Sequence, residues 1–487
     1  MSDPLALLPL ALAAGGGRIR SSAASSEELE VQQLVAAGFT LLQRSAPLVR
    51  ALSGRRAAIL LPSSPAFFTA LAACEGRGAV LLNPLAAPPE IAYQCRDASV
   101  GAVFTNSALA SRLPEGMATV LLEHAPRLAR VIANGTARDV DLGSHHGLSL
   151  EGERDLPGRD EELAIVYTSA MRGVALGAVL THANLLANAR STGEAVVNTA
   201  ADWVLALLPL SHLFGLTVTA IAPLLAGGRV TTMDRFDAAR AVELLAGGVT
   251  EIVGVPAVYH ALLASIERHG PSLRSNALRV CICGGAPLPL DLQERWADAT
   301  GVELRQGYGL TEAGPVCLFN RVDRPNSRGT LGVPLPGVEV AIHPPSFGNG
   351  ADVTPLGDGE PGEICVRGAG VSSGYLHGSA AGLPRRDGWL CTGDRGVRHS
   401  DRTVSFLGVL KPMFTRNGYN VYPREIERAV GELRGVTRIE IVAVPDRLRE
   451  NDIHLRVEGS VSADQVRRWC DGRLGAYEQP STIEIVG

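Results

Sequence analysis

The sequence predicts an α/β protein: a large multi-layer N-terminal domain with mainly parallel sheets, a small β subdomain, and a small α+β C-terminal domain. Three observations predict it. Short apolar runs alternate with helix-like stretches from Arg55 onward, the texture changes to short strands between Gly/Pro turns after Gly337, and a helical repeat flanked by strands follows Val409. At 487 residues the chain is also too long for one ordinary core.

The elements follow in order. RRAAILLP reads as a buried strand, the stretch after Ser64 (PAFFTALAACEGRG) as a helix ending in glycine, and GAVLLNP as the next strand. GAVFTN and ATVLLE continue the βαβ alternation, which calls for a parallel sheet covered on both faces. Residues 134–162 are polar and read as a surface connection; His145 and His146 there are solvated loop residues, since no other ligand has matching spacing. ELAIVYTS, WVLALLPL, RVTTMD, VTEIVGVP and RVCICGGA are strands of the second half. VEVAIHPP, GEICVRG and VSFLGVL form the small β subdomain, and NVYPREIERAVGEL with RIEIVAVPD the C-terminal one.

Composition narrows the function. Hydrophobic residues are 46% and charged residues 20%, a globular balance, and the net charge of -5 provides no basic field for nucleic acid. Lys411 is the single lysine; every other cationic side chain at neutral pH is arginine. The eight cysteines show no CxxC pair, with Cys281 and Cys283 on one face of a strand, which fits a reducing cytoplasm. The opening PLALLPLALAA follows Asp3 without a positive flank, so it reads as an amphipathic or disordered N-terminus. No apolar run reaches the ~20 residues that span a bilayer.

Five stretches carry chemistry. In LAIVYTSAMRGVALGAVLTHANLLANAR a strand ends at Thr168 and Ser169, a glycine-containing loop follows, and Thr181 is placed to cap the next helix. Hydroxyls and backbone N–H groups of such a loop suit phosphate oxygens, although a plain turn reads the same way. PLSHLFG sets His212 at a strand end, where it is either a core histidine or a site residue. In RVCICGGAPLP, Gly284 and Gly285 let a flat ligand approach the backbone. ELRQGYGLTEAGP offers Tyr308 for stacking on a base and Thr311 with Glu312 for hydrated Mg²⁺. In GWLCTGDRG, Asp394 is suited to accept from two ribose hydroxyls.

Their joint order resembles the adenylate-forming (AMP-binding) superfamily of acyl-CoA synthetases, nonribosomal-peptide adenylation domains and luciferases. YTS, THANL, PLSHLFG, GGAPL, QGYGLTE, GVPLPG, GWLCTGD and GYNVYPREIE run in that family's order from about residue 55 to about residue 480. The resemblance implies a body, residues 1–408, and a shortened lid, residues 409–487, that rotates at a hinge. It implies ATP, Mg²⁺ and CoA as reactants, with a small carboxylic acid activated as its acyl-adenylate and passed to CoA or a carrier-protein thiol. Thr168, Ser169, Arg172 and Gly173 would face the phosphates. Gly284, Gly285, Ala286 and Pro287, with Gln306, Gly307, Tyr308 and Gly309, would surround adenine, and Asp394 would hold ribose. Thr311 and Glu312 would handle phosphate and Mg²⁺, with Glu312 the metal ligand. Lys411 falls on the hinge, and Gly418 and Tyr419 on the thiol path. PLSHLFG lacks the aspartate that amino-acid adenylating domains carry there, which favours the acyl-CoA ligase branch, with His212 at the carboxylate and an aliphatic or aromatic acid as substrate.

The pattern also breaks. The family's YTSGTTGxPKG is YTSAMRGVALG here, and its hinge GRxKD is GVLKP, where Pro412 restricts Lys411. The strand PSTIEIVG is present, but Gly487 comes before the PxTxxGK segment whose lysine serves adenylation in the family. Losing one preorganised cation costs roughly 10²–10³ in rate. The expectation is therefore an acid–thiol ligase with impaired adenylation. The alternatives are an enzyme of the acyl-transfer half-reaction alone, or a homologue that binds nucleotide or a protein partner without full turnover.

Overall fold

The computed structural model describes residues 7–22, 27–74, 77–123, 127–143, 157–168, 175–269, 273, 277–345, 347, 354–378, 382–410 and 413–486. The pair His145 and His146 lies outside these, as do Ser169, Arg172, Gly173 and Lys411.

Two nine-stranded sheets form the body. In the first, Arg18–Ser21, Arg229–Thr232, Trp203–Ala206, Glu251–Gly254, Val280–Cys283 and Leu304–Gly309 pair in parallel, and antiparallel strands finish both rims. In the second, Glu162–Thr168, Ala79–Leu81, Arg56–Leu60, Val100–Thr105 and Ala118–Leu122 form the parallel centre. The mainly parallel reading holds because these strands bury both faces. Ile59 packs into the core between the sheets and Leu60 into the core on the outer side, so the run is apolar without alternation.

The inter-sheet core mixes Ile19, Val204 and Val230 with Ile59, Phe104 and Leu163, and the helices Val31–Arg44 and Ala66–Ala73 pack within it. A second core on the far face of the first sheet holds Trp296 and Tyr259, stacked edge-on at 4.8 Å. Cys281 and Cys283 sit there, fully buried, as their alternation required. The eight cysteines are all buried, and none forms a disulfide.

The N-terminus departs from expectation. Leu8–Ala14 is a helix buried on every face, and Arg18–Ser21 is a strand inside the first sheet. A helix buried all round has no amphipathic period to read. Residues 134–162 also contain more than a connection: Thr136–Asp141 pairs antiparallel with Leu128–Ala133.

Val338–His343, Pro361–Gly368, Trp389–Arg398, Arg385–Arg386 and Val404–Val409 build the small β sheet. Val409 thus ends a body strand. A separate core, with Val421, Ile426, Ile453, Leu455 and Val466, organises the C-terminal unit from Phe414 onward. Its hairpin Phe414–Arg416 and Tyr419–Val421 faces the body. Among the described residues, no helix is long and apolar enough to cross a membrane.

Candidate active site

One cavity of about 490 Å³ opens where the parallel strands of the first sheet end, under the C-terminal hairpin. Ligands collect at such carboxyl ends because loops leave the sheet there in different directions. Its lining includes Thr168, His212, Thr311, Glu312, Asp394 and Gly418. The segments Gly284–Pro287 and Gln306–Gly309 complete one wall. The fold thus gathers most of the residues singled out in the sequence. Tyr419 is not among the lining residues; it stacks on Tyr477 with ring centroids 4.7 Å apart, and burial pushes its phenol up to about 12.

The end nearest the small sheet is set by Asp394, whose Oδ2 accepts from the Tyr308 hydroxyl at 2.8 Å. Burial, reinforced by the Asp394 charge, holds Tyr308 well above the usual phenol range, so it stays a donor. Asp394 sits on Trp389–Arg398, and its own N–H donates to Thr392 Oγ1 at 3.1 Å.

Elsewhere in the lining, Glu312 Oε1 accepts from Thr168 Oγ1 at 3.0 Å and from the Tyr375 hydroxyl at 2.7 Å. Tyr375 in turn accepts from the Leu383 N–H at 3.1 Å. Sequence reasoning gave Tyr375 no role. Glu312 is 6% exposed, on a single turn that follows Leu304–Gly309. A buried carboxylate beside the Thr311 hydroxyl is a donor set that fits Mg²⁺, which takes one or two carboxylates and fills its shell with water and phosphate.

His212 faces the open cavity, so water reaches it, although protein surrounds it on all sides. Desolvation by the surrounding protein lowers its pKa, which favours the neutral imidazole. Nδ1 accepts from the Phe214 N–H at 3.2 Å, which leaves the ring proton on Nε2. The π-helix Phe214–Ile221 begins at once, and its first ring lies against Gly284: a Cβ there would meet Phe214 Cζ at 2.9 Å. Bulk at this position would push the aromatic wall into the cavity.

Thr181 does cap its helix. Its Oγ1 accepts from the Asn184 N–H, and Asn184 Oδ1 accepts from the Thr181 N–H, each at 3.1 Å. This fixes the chain just beyond the loop that leaves Thr168.

Two parallel-centred sheets, a small sheet and a C-terminal unit thus enclose a cavity of small-ligand size. Residues 48–376 match the AMP-binding enzyme family, and the chain belongs to it. The chain is 33% identical over 442 residues to a feruloyl-CoA synthase of Amycolatopsis sp, covering 89% of this chain and 85% of the relative. It is 29% identical over 471 residues to a long-chain-fatty-acid–CoA ligase of Bacillus subtilis, covering 89% and 82%. Among solved structures it is similar in fold to a malonyl-CoA ligase bound to methylmalonyl-CoA and AMP, with a TM-score of 0.78, 24% identity, and coverage of 100% and 99%. An amide bond synthetase from Marinactinospora thermotolerans has a TM-score of 0.79 at 22% identity, with coverage of 99% and 95%.

Proposed function

We propose that the protein is an AMP-forming acid–thiol ligase that activates an apolar monocarboxylic acid as its acyl-adenylate and passes the acyl group to CoA. The observation that carries this reading is that one cavity is lined by Asp394 with Tyr308, by Glu312 with Thr168, and by the lid residue Gly418. Family membership and the ligase names of the relatives support it.

The geometry supports a division of labour. Asp394 takes the ribose hydroxyls while the glycine-rich edges at Gly284–Gly285 and Gln306–Gly309 flank adenine. Thr168 faces the phosphates, and the family's motif assigns the positions of Ser169, Arg172 and Gly173 the same role. Glu312 and Thr311 would hold Mg²⁺, which when bound neutralises phosphate charge. The Nε2–H of His212 orients the substrate carboxylate without adding a charge. The carboxylate oxygen attacks the α-phosphorus, pyrophosphate leaves, and the thiol entering past Gly418 then displaces AMP from the acyl carbon. We place the hinge at Val409, with Lys411 on it, residues 1–408 as the body and 409–487 as the lid. Tyr419 supports the lid hairpin through Tyr477. Buried cysteines with no disulfide among them suit a reducing cytoplasm.

The substrate class follows from charge. Among the described lining residues there is no lysine or arginine, so a second carboxylate, or a substrate ammonium beyond reach of Glu312, would lie unpaired. An aliphatic or aromatic monoacid fits the Phe214, Val316 and Leu331 walls. A carrier-protein pantetheine presents the same thiol as CoA and is the second acceptor to assay.

The test is acid-dependent pyrophosphate release from ATP with a panel of hydroxycinnamic and fatty acids, followed by detection of the CoA thioester. Inactivity across the panel sinks the full reaction. The altered loop YTSAMRGVALG favours one second reading, transfer from a supplied acyl-adenylate alone. Consumption of synthetic acyl-adenylate plus CoA, with ATP plus acid inert, would establish it.

A further inference from the structure

We propose that Arg385 is the cation that grips the β- and γ-phosphates of ATP in this protein. The inference rests on the nucleotide reading above and names a residue that reading leaves out. Polyphosphate recognition calls for cations, and planar guanidinium groups meet phosphate oxygens two at a time. The sequence has a single lysine, and no arginine lines the cavity among the described residues.

Arg385 is aimed at the phosphate end by strand geometry. Arg385–Arg386 pairs antiparallel with Trp389 and Leu390, so the two arginines point to opposite faces. Arg386 lies over the Phe347 ring at 5.2 Å and donates to the Phe347 carbonyl at 3.2 Å. Arg385 goes the other way, and its Nη2 donates to Ser372 Oγ at 2.9 Å. The Ser372 N–H donates to the Glu312 carbonyl at 2.8 Å, so Arg385 hangs one residue from the carboxylate that marks the phosphate end. Two positions earlier, Leu383 lines the cavity and holds the Tyr375 hydroxyl, which donates to Glu312.

Its charge is unspent. Among the described residues no carboxylate lies within ion-pair distance of the Arg385 guanidinium, and one of its five donors is used. Arg385 is solvent-exposed at the cavity's margin, where desolvation by nearby protein lowers its pKa and the Tyr375 and Glu312 charges raise it. The plainer alternative is an anchor: Arg385 holds Ser372 and does nothing to a nucleotide.

Calorimetric titration of the full chain with Mg-ATP and with AMP separates the two. If Arg385 grips the outer phosphates, Arg385→Ala weakens ATP ~10–100-fold and leaves AMP within ~2-fold, the size of a charge-assisted hydrogen bond. Arg385→Lys recovers part of the loss, and Arg385→Gln, which keeps an amide for Ser372, does not. Equal weakening of ATP and AMP, or no change in either, overturns the proposal, as does failure of the native protein to bind ATP. Should the alanine variant not fold, the glutamine variant gives the same comparison. Turnover is read in parallel: Arg385-dependent ATP binding without acid-dependent pyrophosphate release rejects the ligase reading while this one stands.

Discussion

The hydroxyl of Tyr308 and the carboxylate of Asp394 meet at 2.8 Å although 86 positions separate them in the chain. The contact joins the end of the first sheet to the small β sheet, and it occupies the carboxylate that a ribose diol would use. Replacing Asp394 with alanine removes two charge-assisted acceptors that ATP and AMP share. Both nucleotides should weaken together, by ~10–100-fold, since one such bond contributes ~1.5–3 kcal/mol. Equilibrium dialysis with labelled AMP checks this, and undiminished AMP binding would show the ribose assignment to be wrong.

Glu312 governs the other end. Glu312→Gln keeps the shape but loses the charge that accepts from Thr168 and Tyr375 and that would bind Mg²⁺. Pyrophosphate release should drop ~10²–10³-fold, the range for loss of a preorganised electrostatic group. Tyr375→Phe removes one donor and should cost less. Measuring both variants at saturating and low Mg²⁺ tests the metal role: the Glu312 defect should deepen as Mg²⁺ falls, and a defect independent of Mg²⁺ argues for positioning alone.

A variant at Gly418 should separate the two proposed half-reactions. Its φ is +76°, and a Cβ added there would meet Val255 Cγ1 at 2.4 Å. Alanine must therefore push the lid hairpin off the body. Strain of ~1–3 kcal/mol translates to roughly a 5–150-fold loss in thiol transfer. Pyrophosphate release, which in the proposed function precedes entry of the thiol past Gly418, should stay near the native rate. Parallel loss of both rates would mean that the hairpin serves the whole site.

How much of this was readable depends on what each signal requires. Arg56–Leu60 and Val280–Cys283 are legible because buried parallel strands are apolar on both faces. The Thr181 cap is legible because its partner is three residues away. Leu8–Ala14 is not, since an all-buried helix carries no period. The π-helical turn at Phe214–Ile221 gives no composition cue distinct from an apolar α-helix. Tyr375 and Arg385 escaped notice for another reason: their relation to Glu312 exists only once distant segments are brought together. The loop residues Ser169, Arg172 and Gly173, with Lys411, lie outside the described residues.

The seam between lid and body carries its own pH dependence. Glu90, on the body helix Pro88–Asp97, is pushed up to about 8 by burial and by the nearby Glu478 and Glu425 of the lid. Glu478 is itself raised by burial, while the Gly475 N–H and Arg428 work against the shift. Tyr93 and Asp97 on the body helix, and Tyr477 and Tyr419 on the lid, complete the titratable groups around this patch. The sign follows from proton counting. Between pH 4.5, the ordinary value, and about 8, the docked form holds a proton that the undocked or unfolded chain releases. Docking is therefore favoured at the acid end and weakens as pH rises through that window. Glu90 retains some exposure, so water entering the seam trims the effect to on the order of 1–3 kcal/mol. The melting temperature of the native protein should fall from pH 5 to pH 8. Glu90→Gln, neutral throughout, should flatten that slope and be the more stable form at pH 8. An unchanged slope in the variant would assign the pH dependence to other groups.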